Sequence, residues 1–230
     1  MGVTYLRHYP SLSSVVTIAI HESLIDHHGF QRSSRWTVKL RLYTPFSKPE
    51  SLPPPPSQAK ALYFLDFADD DAKVWSFTAQ GGGATVAEGG NDAKEVKGVM
   101  IEGEKDLEVI VGKIQNMWSR RQEAVVEGHT FIHADVVIRV GHIRVGSAPR
   151  GVLFQIEHTK SKNPNQTIPQ LRTLLHNLIS PSLPQAVLEK DATTAETETD
   201  FRSAKLRNDE WTRCHEAYQI VKLLKGEGIL

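Results

Sequence analysis

The sequence predicts a mixed α+β domain in which helices pack against a curved antiparallel sheet. Three observations carry that expectation. The stretch Phe131 to His158 alternates like a β-hairpin, Trp36 to Leu42 alternates like a half-buried strand, and apolar residues recur at helical spacing near both ends of the chain. In the hairpin, Val136, Ile138 and Val140 share one face while Arg139 points to the other. Beyond Gly141 the apolar positions become Ile143 and Val145, with Arg144 outward. One inserted residue near Gly141 and His142 produces such a flip of parity, so a β-bulge that bends the strand is expected there. After a turn over Ser147 to Gly151, Val152, Phe154 and Ile156 take the core face, and Gln155 and Glu157 take a wet one.

Taken in order, Gly2 to Tyr9 favours a strand, which Pro10 ends because proline cannot donate to a ladder. A helix follows, with Ser11, Ser13 or Ser14 as its cap, Leu12, Val15, Val16, Ala19 and Leu24 at helical spacing, and Gly29 as the left-handed residue that stops it. In the next strand Trp36, Val38, Leu40 and Leu42 alternate with Arg35, Thr37, Lys39 and Arg41, so its outer face is basic. The segment from Thr44 to Lys60 contains Pro53 to Pro56 in succession and reads as an extended, polyproline-like inserted loop. Ala61 to Phe67 and Val74 to Thr78 form a second hairpin around Asp69 to Asp71. Ala84 to Glu88 is a short strand between glycine turns, and Val96 to Glu102 is a further strand. A helix opens at Asp106 with Leu107, Ile110, Val111, Ile114 and Met117 on one stripe. Glu123 to His133 supplies a strand before the main hairpin, and Pro169 to Ile179 a short amphipathic helix. Ser180 to Asp200 is an acidic, Thr-rich loop. The last helix carries Trp211, Cys214, Tyr218, Val221 and Leu224 on one side and must dock, since an isolated helix of that length is marginal in water.

Composition narrows the function classes. With 27 Lys plus Arg against 27 Asp plus Glu, no global field draws the chain to nucleic acid or to a membrane surface, and direct nucleic-acid binding is not expected. The basic row Arg35, Lys39 and Arg41 reads first as a solvated face. The single cysteine, Cys214, excludes an intramolecular disulfide and a multi-cysteine zinc site, and it fits a reducing compartment such as cytosol or nucleus. The apolar run Val15 to Ile20 is far shorter than the roughly 20 residues needed to span a bilayer. No secretory signal is expected, and Leu6 stands where a myristoylation motif needs Ser or Thr.

No catalytic constellation emerges. The glycines at 81 to 83 lack the Lys-Ser or Lys-Thr pair of a phosphate-cradling loop. His129 and His133 share a strand face but lie roughly 13 Å apart, too far for one metal ion. Cys214 and His215 are adjacent on a helix and diverge. The alternative is a metal-dependent phosphohydrolase of the tunnel type, for which Glu102 with Glu104, and Glu196 with Glu198, are the paired carboxylates. The first pair sits at a strand-to-helix junction and the second in the acidic loop, and a triphosphate tunnel needs carboxylates and cations converging inside.

The opening Met1-Gly2-Val3-Thr4 and, more specifically, Asp135 to Glu157 (DVVIRVGHIRVGSAPRGVLFQIE) resemble Mediator complex subunit 20, including the step at Val140-Gly141 and the Ser147 to Gly151 turn. The order of elements agrees over most of the chain. The proline-rich and acidic segments look like insertions of a fungal-type member. The resemblance implies an antiparallel β-barrel with flanking helices, one barrel domain over residues 1–230 with inserted loops at about 44–60 and 180–200. It also implies a noncatalytic, nuclear subunit of the Mediator head module that heterodimerises with Mediator subunit 18, a related barrel, and acts as a coactivator for RNA polymerase II. No cofactor and no metal is expected. A barrel-to-barrel contact near the hairpin makes Arg139, Arg144, Arg150 and Gly151 the candidate partner-interface residues.

Overall fold

A computed structural model of the chain describes residues 2–46, 61–79, 98–114, 117–185, 187, 201–207 and 210–230. Most of the proline-rich insertion, the strand expected at 84–88 and the whole acidic stretch from Leu188 to Asp200 lie outside these residues.

The strands are β1 (Val3–Tyr9), β2 (Gln31–Pro45), β3 (Ala61–Phe67), β4 (Lys73–Ala79), β5 (Gly98–Glu104), β6 (Trp118–His133), β7 (Val136–Val145) and β8 (Ala148–His158). The helices are α1 (Ser14–Asp26), α2 (Asp106–Lys113), α3 (Pro164–Ile179) and α4 (Arg213–Gly226). All eight strands join one sheet in the order β1-β8-β7-β6-β2-β3-β4-β5, and every pairing is antiparallel. Strand spacing would hold the edges β1 and β5 roughly 34 Å apart in a flat sheet. Yet α4 touches both of them, together with β4. The sheet therefore curls around α4 into a half-barrel. This is the α+β class and the barrel-like curvature that the sequence led us to expect.

Local chemistry explains the elements. Ser13 caps α1 by accepting a hydrogen bond from the Val16 amide, and Gly29 adopts φ +68° just past the helix. Asn163 caps α3, and Pro164 occupies its first turn, where a missing N–H does no harm, so this helix starts five residues earlier than expected. The strand β2 runs past its alternating centre in both directions; Pro45 still pairs with Trp118 at its end. The acidic loop expected from Ser180 opens with a 3₁₀ turn, Ser180–Ser182, and Leu183 is buried directly after it.

The hairpin differs from expectation in three ways. First, β7 passes Gly141 with unbroken register against β6, so no residue is inserted there. The irregularity lies opposite. Between His142 and Arg144 of β7, the partners on β8 move from Val152 to Pro149, one residue too many, and Gly151 absorbs it at φ +103°. A side chain at Gly151 would also come within 2.6 Å of the Pro10 Cα. The parity flip in the sequence has another origin: the apolar residues change faces because different layers cover the two halves of β7. Second, the turn is Gly146 and Ser147 alone, with Gly146 at φ +58°, and β8 already begins at Ala148. Third, there is no wet face along Val152 to Glu157. All six residues are buried, Gln155 at 0% and Glu157 at 5% exposure, because helices cover the sheet on both sides here.

Candidate functional site

The concave side of the half-barrel is where a tunnel would lie, and α4 occupies it. Residues His215 to Val221 are buried without a break, so this helix meets protein on every side. The Tyr218 ring lies 5.2 Å from Phe77 of β4, and the Arg213 guanidinium sits 4.0 Å above the Phe67 ring of β3. On the opposite wall Thr4 Oγ1 donates to Gln219 Oε1 at 2.9 Å and Gln155 Nε2 donates to Glu216 Oε1 at 2.7 Å.

Charged groups do converge in this interior, and they are satisfied by one another. Arg139 Nη1 donates to Glu157 Oε2 at 2.9 Å, the Gly2 amide donates to the other oxygen of Glu157 at 2.9 Å, and Arg213 Nη1 donates to Glu216 Oε2 at 3.0 Å. A second nitrogen of Arg213 reaches Asp69. Burial pushes the Glu216 carboxyl up from its ordinary range, against the pull of Arg213 and Arg139. A pocket for a polyanion needs cations free to receive it. Here Arg139 and Arg213 already hold carboxylates, and aromatic side chains from β3 and β4 fill the space between.

Only one of the two carboxylate pairs considered for a metal site, Glu102 with Glu104, lies among the described residues, and both members are exposed. Glu102 is on the edge strand, solvent-accessible and paired with Lys73, while Glu196 and Glu198 lie outside the described residues. Among the described residues, no group of three or more His, Cys, Asp or Glu side chains is placed to hold a metal ion. His133 faces the Gly29 carbonyl, 3.1 Å away, and His129 faces Arg32. Of the basic row on β2, Arg41 is bound to Glu108 at 2.6 Å and lies near Asp66 at 3.8 Å, which leaves Arg35 and Lys39 as its exposed cations.

The candidate interface residues separate into two groups. Arg139 turns inward onto Glu157 and supports the wall from inside, its side chain only 14% exposed. Arg144 is exposed and paired with Glu127 on β6, and Arg150 is exposed at the β8 bend, where its carbonyl lies 2.7 Å from His8 Nε2. Gly151 packs that bend against Tyr9 and Pro10. Sequence reasoning missed the interior residues Glu216 and Arg213. Their i,i+3 spacing is visible in the chain, but nothing local says that both lie beneath a curled sheet.

Histidines at 21, 129 and 142 gather with Arg32 on the convex side. His21 lies tilted against Phe131, with ring centroids 4.9 Å apart, and its pKa is lowered to about 4 by burial first and then by His129, Arg32 and His142. A shallow cleft of about 370 Å³ opens elsewhere, lined by Tyr43, Phe46, Gly112, Trp118, Ser119 and Arg120.

A curled antiparallel sheet whose concave side is filled by α4, with its interior carboxylates held by arginines, places the chain among α+β half-barrels. The family described as the TATA-binding related factor of subunit 20 of the Mediator complex matches residues 1–225. The chain belongs to the Mediator subunit 20 family, and its role is that of a Mediator subunit, a component of a transcription coactivator. That family is generally non-catalytic. No curated protein sequence matches the chain. Among solved structures, a chain of the Schizosaccharomyces pombe Mediator head module is similar at 11% identity and TM-score 0.42, covering 78% of this chain and 94% of that one. The PH1012 protein of Pyrococcus horikoshii OT3 is similar at 12% identity and TM-score 0.42, over 81% and 93%. The S. pombe Pct1 RNA triphosphatase, solved with the Spt5 CTD, is similar at 9% identity and TM-score 0.32, over 84% and 75%.

Proposed function

We propose that this chain is a noncatalytic scaffold of the Mediator head module, nuclear in location, that heterodimerises with Mediator subunit 18 and serves RNA polymerase II transcription as part of the coactivator. The observation that carries the reading is the family match over residues 1–225. The filled interior supports it, because the space a tunnel enzyme needs for substrate holds Tyr218, Glu216 and Arg213. Residues 1–230 act as one barrel domain in this reading, with the proline-rich and acidic segments as insertions. Arg144, Arg150 and Gly151 present the hairpin end to the partner, and Arg139 keeps the wall behind them in shape.

Co-expression with subunit 18, followed by affinity purification of the pair, tests the proposal. A stoichiometric complex that Arg144→Glu with Arg150→Glu weakens by about tenfold is the expected result. Absence of any complex with the unaltered chain overturns the heterodimer. Mg²⁺- or Mn²⁺-dependent triphosphate hydrolysis that Glu102→Ala abolishes overturns the noncatalytic assignment.

A further inference from the structure

One helix of the convex layer is apolar where water meets it. Val15 is 73% exposed, Ile18 55% and Ile25 40%, and Ala19, Glu22 and Asp26 are exposed as well. These six residues follow one another at steps of three and four and form a single stripe three turns long, about 17 Å. The sheet is served by the other side of α1, through Thr17, Ile20 and Leu24. Neighbouring α3 shows what a solvated helix in this layer carries: its exposed positions include Gln166, Gln170, Thr173 and Asn177. A helix apolar on both sides is normally covered on both.

The charges on the stripe say what covers it. Glu22 and Asp26 lie one turn apart toward the C-terminal end of α1, where the helix dipole is negative; the last turn contains no basic residue, and the side chains just past it are the imidazoles His27 and His28 rather than Lys or Arg. Two carboxylates there repel the helix end and each other, and cations arriving from outside relieve both effects. The N-terminal half of the stripe is neutral and aliphatic.

We infer that the outer face of α1 is a docking surface for a basic amphipathic helix of another Mediator subunit. That helix lays aliphatic side chains at three-four spacing over Val15, Ile18 and Ile25 and sets Lys or Arg against Glu22 and Asp26. The inference rests on the Mediator-subunit reading and adds to it a second surface, separate in its residues from Arg144 and Arg150.

The test uses the full chain co-expressed with the other head-module subunits, comparing the unaltered protein with Ile18→Glu and with Glu22→Lys plus Asp26→Lys. Both changes are at exposed positions, and an unshifted melting temperature establishes that each variant folds. The expected result is slowed amide exchange across Val15 to Asp26 in the assembled module relative to the free chain, and about tenfold weaker assembly for each variant. An assembled module in which α1 exchanges as fast as in the free chain, and which tolerates both variants, overturns the docking surface while leaving the Mediator reading intact. Failure of the unaltered chain to join any head-module subunit overturns both. Sedimentation of the chain alone adds one further outcome: a dimer that Ile18→Glu converts to monomer assigns the stripe to a second copy and overturns the basic-helix partner.

Discussion

The helices α4 and α1 bury different shares of themselves, and the difference does not follow their polarity. The more polar of the two, α4, contains His215, Glu216 and Gln219, yet all three are nearly inaccessible. The other, α1, is rich in Val and Ile and leaves Val15 and Ile18 in solvent. Polar groups can be buried when each finds a partner, as Glu216 does in Arg213 and Gln155, and apolar groups stay out where none of the described residues lies over them. The comparison separates what this subunit completes by itself from what it leaves open. If it is right, substitutions in α4 fall on the free chain and substitutions on the outer stripe of α1 do not.

The largest effect is expected at Tyr218, which is 1% exposed and packs between Phe77 and Phe201. Tyr218→Ala removes that ring from the lumen and should destabilise the isolated chain by about 4 kcal/mol, read as a shift of the urea midpoint with an unchanged slope. A loss below about 1 kcal/mol means the lumen tolerates a cavity and α4 does not plug it. Next comes Arg213→Leu, which keeps much of the packing over Phe67 but strands the Glu216 carboxylate. Removing one member of a buried pair typically destabilises by about 3 kcal/mol. The sign with pH is definite. Burial raises the folded Glu216 pKa, so protonated Glu216 favours the fold at low pH and that advantage disappears as pH rises through the folded value. The Arg213→Leu deficit should therefore be largest at neutral pH and shrink toward pH 4–5.

A smaller effect belongs to the convex side under α1. The pKa of His21 is about 4 in the fold against an ordinary 6.5, so the neutral imidazole stabilises the protein above pH 6.5 and the contribution is lost as pH falls toward 4. Allowing for partial solvent screening, this amounts to roughly 2 kcal/mol. His21→Phe, which keeps an aromatic ring beside Phe131, should flatten the stability profile between pH 6.5 and pH 4. An unchanged profile places the acid sensitivity elsewhere.

Much of this arrangement was legible in the chain, and the part that was not has a common cause. Alternation in Trp36 to Leu42 and in Val152 to Ile156 located two core strands, because burial on one face imposes a period of two whatever the partner is. The same reasoning misread Gln155 and Glu157 as wet and put a bulge at Gly141, because alternation tells which side chains share a face but not what lies over it. The α1 stripe failed for a related reason. Val15 and Ala19 have the spacing of a core face, and Ile20 and Leu24 have it too; with apolar residues all round, periodicity could not choose between them. Of the interface candidates, Arg144 and Arg150 remained at the surface, whereas Arg139 met a carboxylate on the next strand, a partner only the β7–β8 register supplies.

The smallest expected effect is the most discriminating. Ile18 is 55% exposed, so Ile18→Ala removes little apolar area from any contact within the chain and should change the stability of the isolated subunit by less than about 0.5 kcal/mol. Ile20 lies two residues further on and is fully buried; Ile20→Ala should destabilise by about 3 kcal/mol. The two residues share a helix and a side-chain type, so propensity and chain-entropy differences between the sites are minor, and the contrast reads the covering layer alone. Equal losses at the two positions mean that the outer stripe is already covered in the free protein, which ends the distinction between α1 and α4. A near-zero loss at Ile18 with a full loss at Ile20 leaves an aliphatic, acid-flanked face that the chain maintains without using it for its own folding.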